Sequence, residues 1–159
     1  QRAIEAQRAE EARLAALGQA GPVTLQPSAG AMAWPLPGGS VTSEFGYRIH
    51  PITGTRRLHA GIDLATPCGQ PVVAAMGGSV IRAGWAGGYG NQVVLDHGIQ
   101  RGAAVSTSYN HLQSIAVSGG TVERGQVIGY EGTTGFSTGC HLHFEVFVAG
   151  SVVNPRGWL

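Results

Sequence analysis

The chain has 159 residues and a mass of 16.4 kDa, enough for one domain with a core that folds without extra help. Hydrophobic residues make up 43% and charged residues 12%, a balance that excludes a disordered polymer as a description of the whole chain. The net charge of +1 gives no basic surface for nucleic acid. The chain has no run of about 18 apolar residues, so the sequence predicts no membrane span.

The first 17 residues differ in composition from the rest. Residues 1–17 are rich in Ala, Glu, Arg and Gln and predict a helix that ends near Gly18. Its weak apolar stripe fits either the tail of a coiled coil with an upstream domain or partner, or a frayed, solvated helix. Residues 18–40 carry four prolines and five glycines, so we expect a linker over 18–34 before a domain over 35–159. Because the chain begins at Gln1 rather than Met, we expect a fragment or mature form.

The remaining sequence predicts short strands separated by glycine-rich turns. The 26 glycines exceed the roughly 7% of average usage, and no long amphipathic helix follows residue 40. We therefore predict a mainly β fold, a compact antiparallel β-sheet domain preceded by the short helix and linker. The predicted strands are 62–65, 71–75, 79–83, 92–96, 104–110, 127–130 and 141–148.

The last predicted strand alternates cleanly. His141, His143 and Glu145 share one face, while Leu142 and Phe144 share the other. The two imidazoles therefore lie about 7 Å apart along the strand, where one could bind a metal while the other faces a substrate. The alternative for two histidines on a polar strand face is ordinary solvent exposure. Glu145 either supports the neighbouring histidines or is exposed.

Two further segments carry residues of the types that bind zinc and move protons. His59 and Asp63 are four residues apart, but Gly61 and a strand-like segment argue against a helix, so we expect them to converge by tertiary structure. With a second imidazole they would form a His/Asp/His set with one position open to water. His111 follows a predicted strand, where a lone histidine is usually structural. Together these residues supply the inventory of a zinc hydrolase.

Three ordered motifs make this pattern specific, together with the sequence that flanks them. They are His59-x-x-x-Asp63, Tyr109-x-His111-Leu112 and His141-x-His143, with flanking segments 45–54 and 137–146. In this order the motifs resemble those of the LytM/lysostaphin-type zinc metallopeptidases of family M23, the Duplicated hybrid Motif domain. The resemblance covers residues 35–159.

The resemblance implies a role for each of the five residues. His59, Asp63 and His143 would bind Zn²⁺, and His111 and His141 would be the catalytic histidines. Zinc would lower the pKa of its bound water and polarise the scissile carbonyl. The two catalytic histidines would take the proton of the water, hydrogen-bond to the developing oxyanion, or both.

The resemblance also implies a substrate and a location. Members of this family mostly cut peptide cross-bridges or stem peptides of bacterial peptidoglycan, so we expect a zinc endopeptidase that is secreted, periplasmic or associated with the cell wall. The segment 48–54 resembles members that cut D,D cross-links rather than glycyl-glycine bridges. The alternative is a catalytically inactive module of the same fold that binds cell wall or activates amidases. Such relatives typically lack one or more metal ligands, whereas all five expected residues are present here.

Cys68 and Cys140 are the two cysteines of the chain. In an oxidising compartment they would pair and close a loop of about 70 residues, whereas two unpaired core thiols are the alternative. A structural zinc site that uses both is a poor alternative, because adjacent Cys140-His141 lacks the usual ligand spacing. The location implied by the resemblance suits a disulfide, which would tie the strand with the histidine pair to the loop after Asp63.

Several other polar residues have both a functional and a structural interpretation. Arg48, Arg56 and Arg57 precede the first histidine motif and could pair with substrate carboxylates, although a solvated loop is the alternative. Asn91 either hydrogen-bonds to the substrate backbone or shapes a turn. His97, at a predicted strand end, is expected to be structural.

Overall fold

The structure, a computed structural model, describes residues 30–49 and 53–159. The predicted helix over 1–17 and the predicted linker as far as residue 29 lie outside the described residues. Within the described ranges no helix is long and apolar enough to cross a bilayer. The strands are β1 Ser40–Ser43, β2 Gly46–Ile49, β3 Arg56–His59, β4 Ile62–Ala65, β5 Pro71–Val73, β6 Gly78–Trp85, β7 Asn91–Gln100, β8 Ala103–Leu112, β9 Ser114–Ile115, β10 Thr121–Val122, β11 Val127–Tyr130, β12 Leu142–Val148 and β13 Ser151–Val153, with 3₁₀ turns at Gly87–Tyr89 and Pro155–Gly157.

The strands form three sheets, and every pairing is antiparallel. The largest has the order β1-β4-β12-β8-β7-β6-β10, with β13 paired to β12, while β5-β11-β9 and β2-β3 form the smaller two. The mainly β, antiparallel fold expected from the sequence is confirmed. All seven predicted strands are present: β4 and β11 have the predicted bounds, and the other five have shifted ends. The short strands β1, β2, β3, β9, β10 and β13 were not predicted.

One face of β12 anchors the core. Leu142, Phe144 and Val146 are fully buried, as the alternation along this strand predicted. The Phe144 ring packs 5.3 Å from the ring of Tyr109 on β8. The Tyr109 hydroxyl accepts a hydrogen bond from the Ala75 amide (2.9 Å), which satisfies its polar end inside the core. Burial raises the pKa of Tyr109 to about 12, so its hydroxyl stays neutral.

The first described residues also belong to this core. Met32 and Ala33 are fully buried, although the sequence placed both in the linker. The Met32 amide donates to the Trp158 carbonyl (2.8 Å), and the Ala33 amide donates to the Ala75 carbonyl (2.7 Å). Packing of the domain therefore begins upstream of residue 35.

The central strands approach each other closely at Gly61. A Cβ at this position would lie 2.2 Å from the Phe144 carbonyl oxygen, so any side chain here would push β4 away from β12. With glycine present, Asp63 on β4 lies directly opposite His143 on β12. On its other side, His143 lies opposite Asn110 of β8. The sheet therefore brings the second and third sequence motifs against the first.

A disulfide connects Cys68 to Cys140, with their Cα atoms 5.4 Å apart. It joins the loop after β4 to the residue that precedes His141. Because the bonded residues are 72 positions apart, the bond removes a large loop-closure entropy from the unfolded chain.

We expect the double variant Cys68→Ser/Cys140→Ser to lose about 4 kcal/mol of unfolding free energy, the value that the chain-entropy account gives for a loop of this size. Denaturant titration followed by tryptophan fluorescence measures the change. Reduction of the disulfide in the wild-type protein should lower the denaturant concentration at the unfolding midpoint as much as the double substitution does. An unchanged midpoint in both experiments would show that the bond does not constrain the unfolded chain.

Candidate metal and catalytic site

The five residues singled out from the sequence line one open pocket of about 630 Å³. His59 ends β3, Asp63 lies on β4, His111 lies near the end of β8 and His143 lies on β12. His141 directly precedes β12 and forms an isolated antiparallel bridge with Gly132. The other lining residues are Arg57, Ala86, Gly88, Tyr89 and Phe136.

Three of the five residues form a compact donor set. His59 Nε2 lies 3.3 Å from Asp63 Oδ2, and His143 Nδ1 lies 2.8 Å from Asp63 Oδ1. One ligand atom from each residue can be chosen so that all three lie within 4.8 Å of one another. Ligand bonds to zinc are about 2.0–2.2 Å long for nitrogen and oxygen, so two ligands of a tetrahedral ion lie roughly 3.3–3.6 Å apart. The contacts of 3.3 Å and 2.8 Å to Asp63 are close to this spacing. The set therefore fits a metal ion by chemistry and by spacing.

Hydrogen bonds outside this set orient both of its imidazoles. The His59 Nδ1–H donates to the Glu44 carbonyl oxygen (2.8 Å), which leaves Nε2 of that ring facing Asp63. In His143 the arrangement is reversed, because Nε2 lies 3.4 Å from Glu145 Oε2 and Nδ1 faces Asp63. Partners of this kind fix the ring orientation and the tautomer of metal-binding histidines.

The local charges favour a cation at this point. Burial opposes ionisation of Asp63, but hydrogen bonds from His143 and His59 outweigh it and hold the pKa of the Asp63 carboxyl well below its usual range. Burial also lowers the pKa of His143, yet the carboxylates of Asp63 and Glu145 raise it to about 9. Two carboxylates thus require positive charge at His143, which either a proton or a metal ion on Nδ1 supplies.

His111 and His141 form a second pair beside the donor set, with ring centroids 4.7 Å apart. Each ring donates its Nδ1–H to a backbone carbonyl, His111 to Thr134 (2.7 Å) and His141 to Gly139 (2.8 Å). Nε2 of each ring is therefore left for the pocket, and Nε2 of His141 lies 3.9 Å from Asp63 Oδ1. Burial lowers the pKa of His111, and the neighbouring histidines lower it further against the effect of the Thr134 carbonyl.

The backbone at His111 is in an unusual conformation. Its φ is 66°, in the left-handed region that residues with a side chain rarely adopt. The next carbonyl, of Leu112, accepts hydrogen bonds from the Asn91 side-chain amide (3.0 Å) and from the Thr134 hydroxyl (2.8 Å). These bonds offset the strain and hold the end of β8 in place. Asn91 therefore has a structural role at the end of β8, which is one of the two interpretations that the sequence left open.

Sequence reasoning left Glu145 undecided and did not identify two of its partners. Glu145 is only 2% exposed, and it accepts hydrogen bonds from the Ser108 hydroxyl (2.7 Å) and the Tyr89 hydroxyl (3.4 Å). Burial raises the pKa of Glu145, but His143 and Ser108 outweigh it and keep the carboxyl ionised. Burial and the carboxylate of Glu145 raise the pKa of Tyr89. Only the position of Glu145 on the histidine face of its strand signalled this role.

His97 lies away from the pocket. Its Nδ1 hydrogen-bonds to the Gly77 carbonyl (2.9 Å), and its Nε2 bonds to the Thr107 hydroxyl (2.7 Å). With both ring nitrogens engaged in this way, His97 has the structural role expected from the sequence.

Comparison with characterised proteins agrees with this geometry. The chain is 46% identical over 131 residues to the DD-carboxypeptidase/endopeptidase Mpg of Neisseria meningitidis, across 82% of this chain and 30% of that protein. It is 43% identical over 108 residues to the peptidoglycan DD-endopeptidase ShyA of Vibrio cholerae, across 67% of this chain and 24% of that protein. The chain therefore spans less than a third of the length of these curated relatives.

Solved structures share the fold. A zinc containing peptidase from Vibrio cholerae superposes with a TM-score of 0.72 at 38% identity, over 79% of this chain and 39% of that chain. The catalytic domain of lysostaphin from Staphylococcus simulans gives a TM-score of 0.63 at 33% identity, over 74% of this chain and 89% of that chain. The family described as Peptidase family M23 matches residues 57–155. With a family match over most of the chain and relatives of this similarity, the chain belongs to peptidase family M23.

Proposed function

We propose that this domain is a zinc-dependent endopeptidase that hydrolyses D,D peptide cross-links of bacterial peptidoglycan outside the cytoplasm. The observation that carries the proposal is the convergence of a His/Asp/His donor set and two further histidines on one open pocket. Relatives named as peptidoglycan DD-endopeptidases and as a DD-carboxypeptidase/endopeptidase support the class of substrate.

We assign the metal to His59 Nε2, the Asp63 carboxylate and His143 Nδ1. A set of three protein donors is typical of catalytic zinc sites, whereas structural sites use four. When bound there, zinc supplies a Lewis acid that acidifies a water molecule and polarises a carbonyl group. The carboxylate of Asp63 would balance part of the added charge, and the Glu44 carbonyl and the Glu145 carboxylate hold the two imidazoles turned toward Asp63, where they would bind the ion.

We assign proton transfer to His111 and His141. A carbonyl oxygen accepts the Nδ1–H of each ring, so each ring can gain or lose a proton at Nε2 without losing its partner. One Nε2 takes the proton of the attacking water, and the other hydrogen-bonds to the carbonyl oxygen as that atom gains negative charge. The proton taken up can then pass to the leaving amine.

The alternative function is an inactive module that binds cell wall or activates amidases. A binding module has no need for two imidazoles with tautomers fixed by the backbone beside an intact donor set. The presence of all five residues on one pocket therefore favours the enzyme.

The zinc-loaded protein should split D,D-cross-linked muropeptide dimers into two monomers whose masses sum to that of the dimer plus one water. Mass spectrometry of the digest measures this directly. A glycyl-glycine-bridged substrate under the same conditions serves as the comparison, and we expect little cleavage of it. Failure of the metallated protein to cleave any muropeptide would favour the inactive module.

Substitution of a metal-binding residue should abolish zinc binding. We expect His143→Ala to lose zinc affinity by more than the roughly 10- to 100-fold that removal of an outer partner costs. Elemental analysis after dialysis against zinc-buffered solution gives the metal content per chain. A variant at His111 is the matched control and should retain its zinc, because that residue lies outside the donor set. Full zinc content in His143→Ala would refute the assigned ligand.

Substitution of a proton-transfer residue should lower kcat while zinc stays bound. We expect His111→Asn and His141→Ala each to lose about 10²- to 10⁴-fold in kcat, the usual contribution of general acid–base groups. Asparagine is chosen at position 111 because it tolerates the left-handed backbone there, so the fold is spared. Wild-type kcat in either variant would remove that histidine from the mechanism.

A further inference from the structure

Two arginines lie side by side next to the pocket. In the β2–β3 pair, Arg48 is the direct cross-strand partner of Arg57, so both side chains leave the same face of the two strands. Both residues are exposed, and neither guanidinium has a hydrogen bond or ion pair to any described residue. Like charges directly opposite each other destabilise a strand pair, and an anion bound between them would remove that cost.

The geometry directs this pair toward the chemistry. Arg57 and His59 are two residues apart on β3 and therefore share a face, and Arg57 lines the pocket. It is the one arginine among the described lining residues, and the chain contains no lysine. The adjacent Arg56 leaves the opposite face, with its guanidinium 3.9 Å above the centre of the Tyr47 ring.

The acidic groups near this pair are already engaged. Asp63 hydrogen-bonds to His143 and lies 3.3 Å from His59, while Glu44 forms an ion pair with Arg156 at 2.9 Å. The positive charge of Arg48 and Arg57 is therefore left for a ligand. Paired guanidinium groups suit a carboxylate, which they can bind through several parallel hydrogen bonds.

The peptide bonds that this enzyme could cleave differ in the group carried by the carbon attached to the scissile nitrogen. In a D-alanyl–diamino acid cross-link, and in a D-alanyl-D-alanine terminus, the carbon attached to the scissile nitrogen carries a free carboxylate. In a glycyl-glycine bridge the same carbon carries another amide. A carboxylate subsite beside the metal ligands would distinguish these classes during binding, because the amide leaves the two guanidinium groups unpaired.

We propose that Arg57, assisted by Arg48, forms a subsite for the carboxylate next to the leaving amine and so selects peptide bonds that end in a free carboxylate. The inference rests on the proposed function and gives its substrate class a structural cause. The same carboxylate is present in both kinds of substrate implied by the name of the relative Mpg, a DD-carboxypeptidase/endopeptidase.

The kinetic test compares two substrates that differ only at this group. They are a D,D-cross-linked dimer with the carboxylate free and the same dimer with it amidated. The wild-type protein should prefer the free acid by roughly 10- to 100-fold in kcat/KM, as expected for a charge-assisted contact. Arg57→Gln should lose this preference, because its kcat/KM should fall much more on the free acid than on the amidated dimer. Arg56→Gln is the matched control and should retain the preference.

Two results would overturn the subsite. One is equal kcat/KM of the wild-type protein on both dimers, and the other is an equal loss on both dimers in Arg57→Gln. If the wild-type protein cleaves neither dimer, the proposed function is refuted but the subsite is not. A binding measurement then tests the subsite. In the zinc-loaded His111→Asn background, the free-acid dimer should bind more tightly than the amidated one, and addition of Arg57→Gln should equalise the two Kd values. Equal Kd values before that addition would refute the subsite.

Discussion

The register of β12 between β4 and β8 is the constraint on which the site depends. His143 lies opposite Asp63 on one side and opposite Asn110 on the other. Because side chains alternate along a strand, a slip of one residue would turn His143 into the core and bring Phe144 to the pocket. Burial of the apolar face of β12 opposes such a slip. The close approach of Gly61 to the Phe144 carbonyl opposes it as well, since this spacing tolerates no side chain.

A buried polar network behind the pocket makes that register rigid. The Asn110 side-chain amide donates to the His143 carbonyl (2.9 Å) and to the Ser108 hydroxyl (3.0 Å), which in turn donates to Glu145 (2.7 Å). Gln92 donates to the Asn110 side-chain oxygen (2.8 Å) and completes the chain of bonds. Every buried side-chain nitrogen or oxygen in the described part of the chain has a partner. A buried network of this kind stabilises one arrangement when it is complete, and breaking it costs free energy. It therefore fixes the position of His143 from the side opposite the pocket.

The sequence predicted those parts of the structure that depend on alternation and motif order. Period-two alternation located β12 and the shared face of its histidines, and the order of three motifs identified five residues that the fold brings to one pocket. Alternation does not report depth, so the burial of Glu145 beneath Tyr89 could not be foreseen. The strands β2 and β3 escaped prediction because each has only four residues, too short a run for alternation to identify. The apolar side chains on their shared face, Tyr47, Ile49 and Leu58, are exposed rather than packed in the core. The left-handed backbone at His111 is uncommon for any residue with a side chain, so the sequence did not indicate it. The tertiary hydrogen bonds around His111 hold this conformation in place.

The pocket wall that carries Phe136 is held by contact between two loops rather than by the core. The Phe136 amide donates to the Gly88 carbonyl (2.8 Å), and a Cβ on Gly88 would lie 2.7 Å from the Phe136 ring. The Phe136 ring is 89% exposed and lines the pocket beside the histidines. The same loop presents the Thr134 carbonyl that accepts the Nδ1–H of His111. One short loop, residues 134–136, therefore contributes both to the contour of the groove and to the orientation of His111.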